Sequence, residues 1–261
     1  MNLELSHKTI LISGGASGIG EAITRACLTE GANVVIASRI TPAVEIFMAE
    51  MAKNKATCSL FSTELADPEN CQAAVEFAIQ THGQLFGLVN NAGLNDSIGL
   101  EHGTPQLFTQ SLYTNTIHYY ALAHYALPYL KQSKGTIVNI ASKVAITGQG
   151  GTSGYAAAKG AQLGLTREWA VELLPYGIRV NAILPAEVMT PLYHQWLQQF
   201  EEPGAVLQRI ENRIPLGKRM TLASEIAAAA VFLLSPVQSA HTTGQQLVID
   251  GGYTHLDRAI T

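Results

Sequence analysis

A chain of 261 residues, 47% hydrophobic and 14% charged, holds enough apolar matter for one large core or two small ones. Its formal net charge of -4, with no basic run or acidic tail, argues against a general electrostatic nucleic-acid binder. The start shows no basic region followed by a long apolar one, and no apolar run reaches roughly 18 residues. Neither a signal peptide nor a membrane span is therefore expected, and the expected location is cytoplasmic.

The first apolar run, KTILIS (8–13), reads as a strand, and the glycine-rich turn SGGASGIG follows it. Ser13, Gly14, Gly18 and Gly20 give a strand-to-helix turn where backbone N–H groups can approach a pyrophosphate. The helix beginning there would add a favourable dipole, with Gly31 suited to its C-terminal cap. NVVIAS (33–38) is the second strand and ends at Ser38 and Arg39. TPAVE at 41 then opens a helix with a capping Thr and a Pro in the first turn. TCSLF (57–61) is the third strand, with Glu64 and Leu65 just beyond it. DPEN at 67 opens the next helix, for which Gly83 suits the end.

FGLVN (86–90) leads into NNAG at Asn90 to Gly93. A long helix from about Gln106 to Leu130 carries Asn115, and His118 and His124 read as helix residues. GTIVNIA (135–141) is the fifth strand, with Ser142 at its end. In TSGYAAAKGAQLG, Tyr155 and Lys159 stand four apart, so one helical face carries both. A solvated helix edge would give the same spacing. IRVNAIL (178–184) and QQLVID (245–250) complete seven strands, each apolar nearly throughout, as strands buried on both faces must be. The alternation predicts an α/β, doubly wound, mainly parallel seven-stranded sheet in a single domain over 1–261. Residues from about 186 to 220 fall outside the pattern and read as one or two extra helices, placed where a substrate lid would sit. Cys27, Cys58 and Cys71 are odd in number and widely spaced, so they read as plain buried thiols. The eight histidines show no close metal-ligand spacing, and no metal is expected.

Taken together, the motifs resemble the short-chain dehydrogenase/reductase family along essentially the whole chain. The glycine turn is similar to that family's T-G-x-x-x-G-x-G, with Ser13 for the Thr. NNAG, the helix Asn115, Ser142, and Y-x-x-x-K at Tyr155 and Lys159 appear in family order, with Ser142 the usual 13 residues before Tyr155. The resemblance implies a nicotinamide cofactor. Gly14, Ser17, Gly18, Ile19, Gly20, Ser38, Arg39, Glu64, Leu65, Asn91, Ala92, Gly93, Pro185, Val188 and Thr190 would contact it, together with Tyr155 and Lys159. Glu64 replaces the usual Asp, and Ala186 replaces a Gly in the P-G-x-x-x-T pattern. Asn115, Ser142, Tyr155 and Lys159 would be catalytic. A free tyrosine titrates near 10, too high for an efficient base, and a lysine one turn away favours the phenolate. Ser142 would position the substrate oxygen. Asn115 would hold a water relaying protons to Lys159.

Several stretches, among them NAGLNDSIGLE, PAEVMTPLY and DGGYTHLDRAIT, are similar to a narrower group, the L-fucose dehydrogenases. A sugar needs hydrogen-bonding groups and an aromatic surface. Asn95, Asp96, Ser142, Gln149, Glu187, Tyr193, His194 and Trp196 are the candidate substrate residues. A steroid, ketoacyl or polyol enzyme of the same family, and a non-catalytic dinucleotide-binding sensor, remain the alternatives. The second strand ends without an acidic residue, and Arg39 can meet a 2′-phosphate, so NADP is expected to be preferred with NAD usable. The helices around 106–130 and 155–173 carry Leu107, Leu112, Ile117, Leu122, Leu127, Leu163, Leu165, Trp169 and Val171 on several sides. The resemblance then implies a homotetramer, with a dimer second. Separately, the tail YTHLDRAIT is expected to reach a neighbouring subunit.

Overall fold

A computed structural model describes residues 2–256. The expected tail contact therefore falls in part, from 257 to 261, outside the described residues. Seven strands form one sheet: β1 (Thr9–Ser13), β2 (Asn33–Ser38), β3 (Cys58–Ser62), β4 (Gly87–Asn90), β5 (Thr136–Ile140), β6 (Arg179–Pro185) and β7 (Gln246–Ile249). Their order is β3-β2-β1-β4-β5-β6-β7, and every pairing is parallel. Each strand end lies within one residue of its sequence-based placement. The order reverses between β1 and β4, so the loops leaving their C-terminal ends diverge and open a crevice.

Helices cover both faces. The pleat of β1 sends Ile10 and Ile12 to one core, beneath α1 (Gly18–Thr29), α2 (Pro42–Lys53) and α9 (Ala223–Leu234). Leu11, between them, joins Val35, Leu88 and Ile137 under α3 (Pro68–His82), α5 (His118–Ser133) and α6 (Ser153–Glu172). A strand with no solvent face has no use for polar alternation, which accounts for the apolar runs. The helix punctuation also follows the sequence. Thr41 accepts from the Val44 N–H (3.3 Å), Asp67 accepts from the Glu69 N–H (3.0 Å), and Gly83 closes α3 in the left-handed region at φ 73°.

One long helix was expected from about 106 to 130, but the structure divides it. α4 (Pro105–Leu112) runs into a π-helical turn over Tyr113–Ile117 and only then into α5. A π turn takes one more residue than an α turn, and a single such turn shifts the apolar spacing by only one position, too little to read from one helix. The apolar residues assigned to an outer surface also divide. Leu122, Leu163 and Trp169 are buried in this chain's own cores, whereas Leu107 (45% exposed) and Val171 (68%) are not. The stretch after β6 holds two short helices, α7 (Pro191–Leu197) and α8 (Pro203–Glu211). Cys27, Cys58 and Cys71 are free thiols, and Cys58 is only half-buried. Burial pushes them up to about 12, 11 and 12 respectively. No helix among the described residues is long and apolar enough to cross a membrane.

Candidate active site

The crevice is built from strand ends. Ser13, last in β1, accepts hydrogen bonds at Oγ from the Asn91 N–H (2.8 Å) and Ala92 N–H (3.0 Å). The Asn91 amide donates back to the carbonyls of Ser13 (3.0 Å) and Gly14 (3.3 Å). A hydroxyl is all this tie needs, so Ser serves where Thr is usual. Gly14 and Gly18 have φ of 64° and 56°, which glycine adopts without strain. A Cβ at Gly20 would overlap the Gly14 carbonyl oxygen, so only glycine lets α1 pack against the turn. Ser17 caps α1 by position but makes no side-chain cap bond, and it is exposed. Its hydroxyl and the first N–H groups of α1, with Ile19 alongside, suit a phosphate. Thr190 lies against Gly18, since a Cβ there would stand 3.2 Å from the threonine methyl. The β6–α7 loop thus closes over the turn. These features fit a dinucleotide.

Beyond that turn, the ends of β2 and β3 hold Ser38, Arg39, Glu64 and Leu65. Arg39 Nη1 lies 3.6 Å from a Glu64 carboxylate oxygen, and both side chains are mostly exposed. Leu65 is buried in the core and presents little of itself. Pro185 pairs with Ile249 at the end of β6, Val188 is buried and bridged to Thr221, and Thr190 Oγ1 caps α7 at the Tyr193 N–H (3.2 Å).

The four candidate catalytic side chains come together at the ends of β4 and β5. Lys159 is buried and donates from Nζ to the Ile140 carbonyl (2.8 Å), with the Tyr155 ring centre 5.5 Å away. Tyr119, not singled out in the sequence, donates to the same carbonyl (3.1 Å). Burial pulls the lysine down to about 7. It also pushes Tyr155 up to about 12, against the opposing hydrogen bond with Ser142 and with the help of the Asp96 charge. Desolvation thus opposes the phenolate in the protein by itself, and the charge expected of Lys159 is not enough to offset it. Ser142 Oγ also caps a 3-10 turn over Lys143–Ala145, accepting from the Val144 N–H (3.4 Å).

Asn115 sits in the π turn. Its Oδ1 accepts from the Leu94 N–H (2.8 Å), its Nδ2 donates to the Ser111 carbonyl (3.1 Å), and its own carbonyl accepts from Gln162 (2.6 Å). A Cβ on Gly93 would meet Asn115 Oδ1 at 2.8 Å, so NNAG and the π turn pack without a gap. His118 is buried at the start of α5, 3.2 Å from the Ala92 carbonyl, and burial pulls it down to about 4. His124 stays on α5 beside Tyr120.

The candidate substrate residues divide. Asp96 faces Tyr155 closely enough to raise it, and its buried Oδ1 has no hydrogen-bond partner among the described residues. Glu187 accepts from the Tyr193 hydroxyl (2.7 Å) and pairs with Lys143. Trp196 packs edge-on against Tyr193 at 5.2 Å. Asn95, Gln149 and His194 are exposed, and Asn95 caps its own loop at the Ser97 N–H. Lys143 was missed. Its adjacency to Ser142 was the only local signal, because its partner lies 44 residues away.

Comparison with known proteins agrees with the fold. A family model described as enoyl-(acyl carrier protein) reductase matches residues 14–254. The chain belongs to the short-chain dehydrogenase/reductase family. Like other members of the family, it is an oxidoreductase that uses a nicotinamide cofactor, NAD or NADP. Among its relatives, the L-fucose dehydrogenase of Bos taurus is 34% identical over 253 residues, covering 97% of this chain and 91% of that protein. The crystal structure of the Cj0485 dehydrogenase is 45% identical, covers 100% of this chain and 99% of that chain, and superposes with a TM-score of 0.94. The Thermoplasma acidophilum aldohexose dehydrogenase is 26% identical, covers 100% and 99%, and gives a TM-score of 0.88.

Proposed function

We propose that this short-chain dehydrogenase oxidises L-fucose or a close aldose at the anomeric carbon to the lactone, in a cytoplasmic setting. The observation that carries the substrate class is the buried Asp96 oxygen without a partner beside Tyr155, a place made for a hydroxyl. The names of the bovine relative and of the aldohexose dehydrogenase support it. Three free thiols suit a reducing compartment.

In this reading Tyr155 takes the anomeric hydroxyl proton, and Ser142 holds the same oxygen in place. A dinucleotide held by its pyrophosphate at the glycine turn would supply the hydride acceptor at its nicotinamide and, when oxidised, a positive charge that lowers the tyrosine. Lys159 binds the ribose and passes the proton on, and Asn115 orders the path to solvent. α7 and α8, within 186–220, act as the substrate lid. Oxidation rates on a panel of aldoses, steroids and ketoacyl thioesters test the substrate. Turnover of aldoses alone is expected, whereas activity confined to steroids or thioesters would overturn the reading.

NADP is the proposed preferred cofactor, with NAD usable. The Arg39–Glu64 pair is exposed and long, so it is weak, and a 2′-phosphate can displace the carboxylate. Arg39→Ala is expected to weaken NADP binding by roughly tenfold or more and to leave NAD little changed. Equal loss for both would show that Arg39 does not read the phosphate.

The proposed assembly is a homotetramer, with a dimer second. Leu107, Tyr113, Tyr120 and Val171 are exposed on α4, the π turn, α5 and α6, a surface that a second copy would cover. Light scattering at micromolar concentration is expected to give four times the chain mass, and a monomer would refute the proposal.

A further inference from the structure

The geometry points to Lys143, Glu187 and Tyr193 as a hydroxyl-reading corner of the substrate pocket, which favours a polyhydroxylated ring over an apolar alcohol. This inference rests on the aldose reading above and names residues that would enforce it. Three separate segments build the corner: the turn after β5, the loop after β6, and α7. Lys143 follows Ser142 directly, so the corner begins one residue from the proposed chemistry.

Lys143 donates from Nζ to Glu187 Oε1, and the two side chains are only 10% and 12% exposed. The other carboxylate oxygen accepts from the Tyr193 hydroxyl (2.7 Å). The ammonium also stands 4.3 Å over the ring of Tyr253, near the end of the described chain. A buried ion pair adds little net stability, because desolvation consumes most of its attraction, and packed apolar side chains commonly do as well. Stability therefore gives a poor account of this pair.

Its spare bonding capacity gives a better one. An ammonium has three donors and a carboxylate about four lone-pair sites. One donor goes to Glu187, and Glu187 receives two bonds. At least one N–H and one lone pair remain for a group that both donates and accepts, as a sugar hydroxyl does. Beside them the Tyr193 ring meets Trp196 edge-on, and Trp196 meets Phe200 at 4.9 Å. That aromatic run suits the less polar face of a sugar ring. An apolar ring in the same place would strip water from the pair and return no hydrogen bond, and such a mismatch is how a site rejects the wrong ligand.

The experiment uses the full chain and starts with wild type on the aldose panel. Lys143→Met is expected to raise KM for the best aldose about tenfold or more, while kcat falls by less than about threefold. Cofactor Kd, read by fluorescence titration, should move by less than about twofold. Because Met strands the Glu187 charge, the double variant Lys143→Met/Glu187→Gln is measured too. It removes both charges and keeps both shapes, and the same rise in KM is expected, with the ratio of cyclohexanol to aldose turnover shifted toward cyclohexanol. Aldose turnover with an unmoved KM in the double variant overturns the corner alone. A parallel loss in KM, kcat and cofactor Kd marks a purely structural tie and overturns it as well. A wild type inactive on every aldose overturns the aldose reading and the corner with it.

Discussion

Replacing Tyr155 with Phe is expected to remove turnover, by about a thousandfold or more, while cofactor binding stays nearly intact. The ring would keep its place, since Phe differs only by the hydroxyl that meets Ser142. What is lost is the one oxygen able to take a proton from the substrate. Burial already holds that hydroxyl at about 12, so the protein alone leaves it protonated near neutrality. Its activation must come from the positive charges that gather when the site is filled. Steady-state rates with cofactor titrations check this prediction. A Phe variant within about tenfold of wild type would remove Tyr155 from the role of base.

Lys159→Met should cost activity by about a hundredfold or more, yet stabilise the fold. The sign follows from the proton balance. Lys159 is held at about 7 in the folded chain, against 10.5 ordinarily. Between those values the unfolded chain binds a proton that the folded chain releases, so stability rises with pH across that window. Below pH 7 the penalty of burying the ammonium is felt in full. Methionine has no such penalty. The Ile140 carbonyl also keeps a partner without the lysine, because the Tyr119 hydroxyl bonds it at 3.1 Å. A gain of roughly 1–3 kcal/mol is expected at pH 6, shrinking toward zero by pH 10. Thermal unfolding at both pH values checks it, and a Met variant less stable than wild type at pH 6 would contradict the account. The lysine is in this sense a stability cost that the fold carries for its chemistry.

The sheet was legible because its inner strands are enclosed on both faces. Ile10, Leu11 and Ile12 must all be apolar when helices cover both sides, and such a run shows in one dimension. The caps at Thr41, Asp67 and Gly83 were legible for a similar reason, since each acts on residues two to four places away. Tyr155 and Lys159 were legible through one helical turn. Lys143 was not, because its pairing with Glu187 exists only after β5 and β6 lie side by side. The balance of charge at Tyr155 was only partly legible from spacing. Spacing reports the distance to Lys159, but the energy depends on how much water each group loses, and that is a property of the finished fold. The division of the 106–130 helix escaped because an extra residue in one turn changes no side chain.

That extra residue acts as a gear tooth. A helix advances by about 100° per residue, and the wider turn absorbs that step, so deleting one position within Tyr113–Ile117 would close the turn to a regular helix and displace the side chains of the turn itself. The Asn115 side chain, which now holds the Leu94 N–H and the Ser111 carbonyl, would lose that placement. Asn115 apart, the segment can therefore exchange side chains more freely than it can change length. Across descendants of this chain, the residues around Asn115 should drift while their count stays locked.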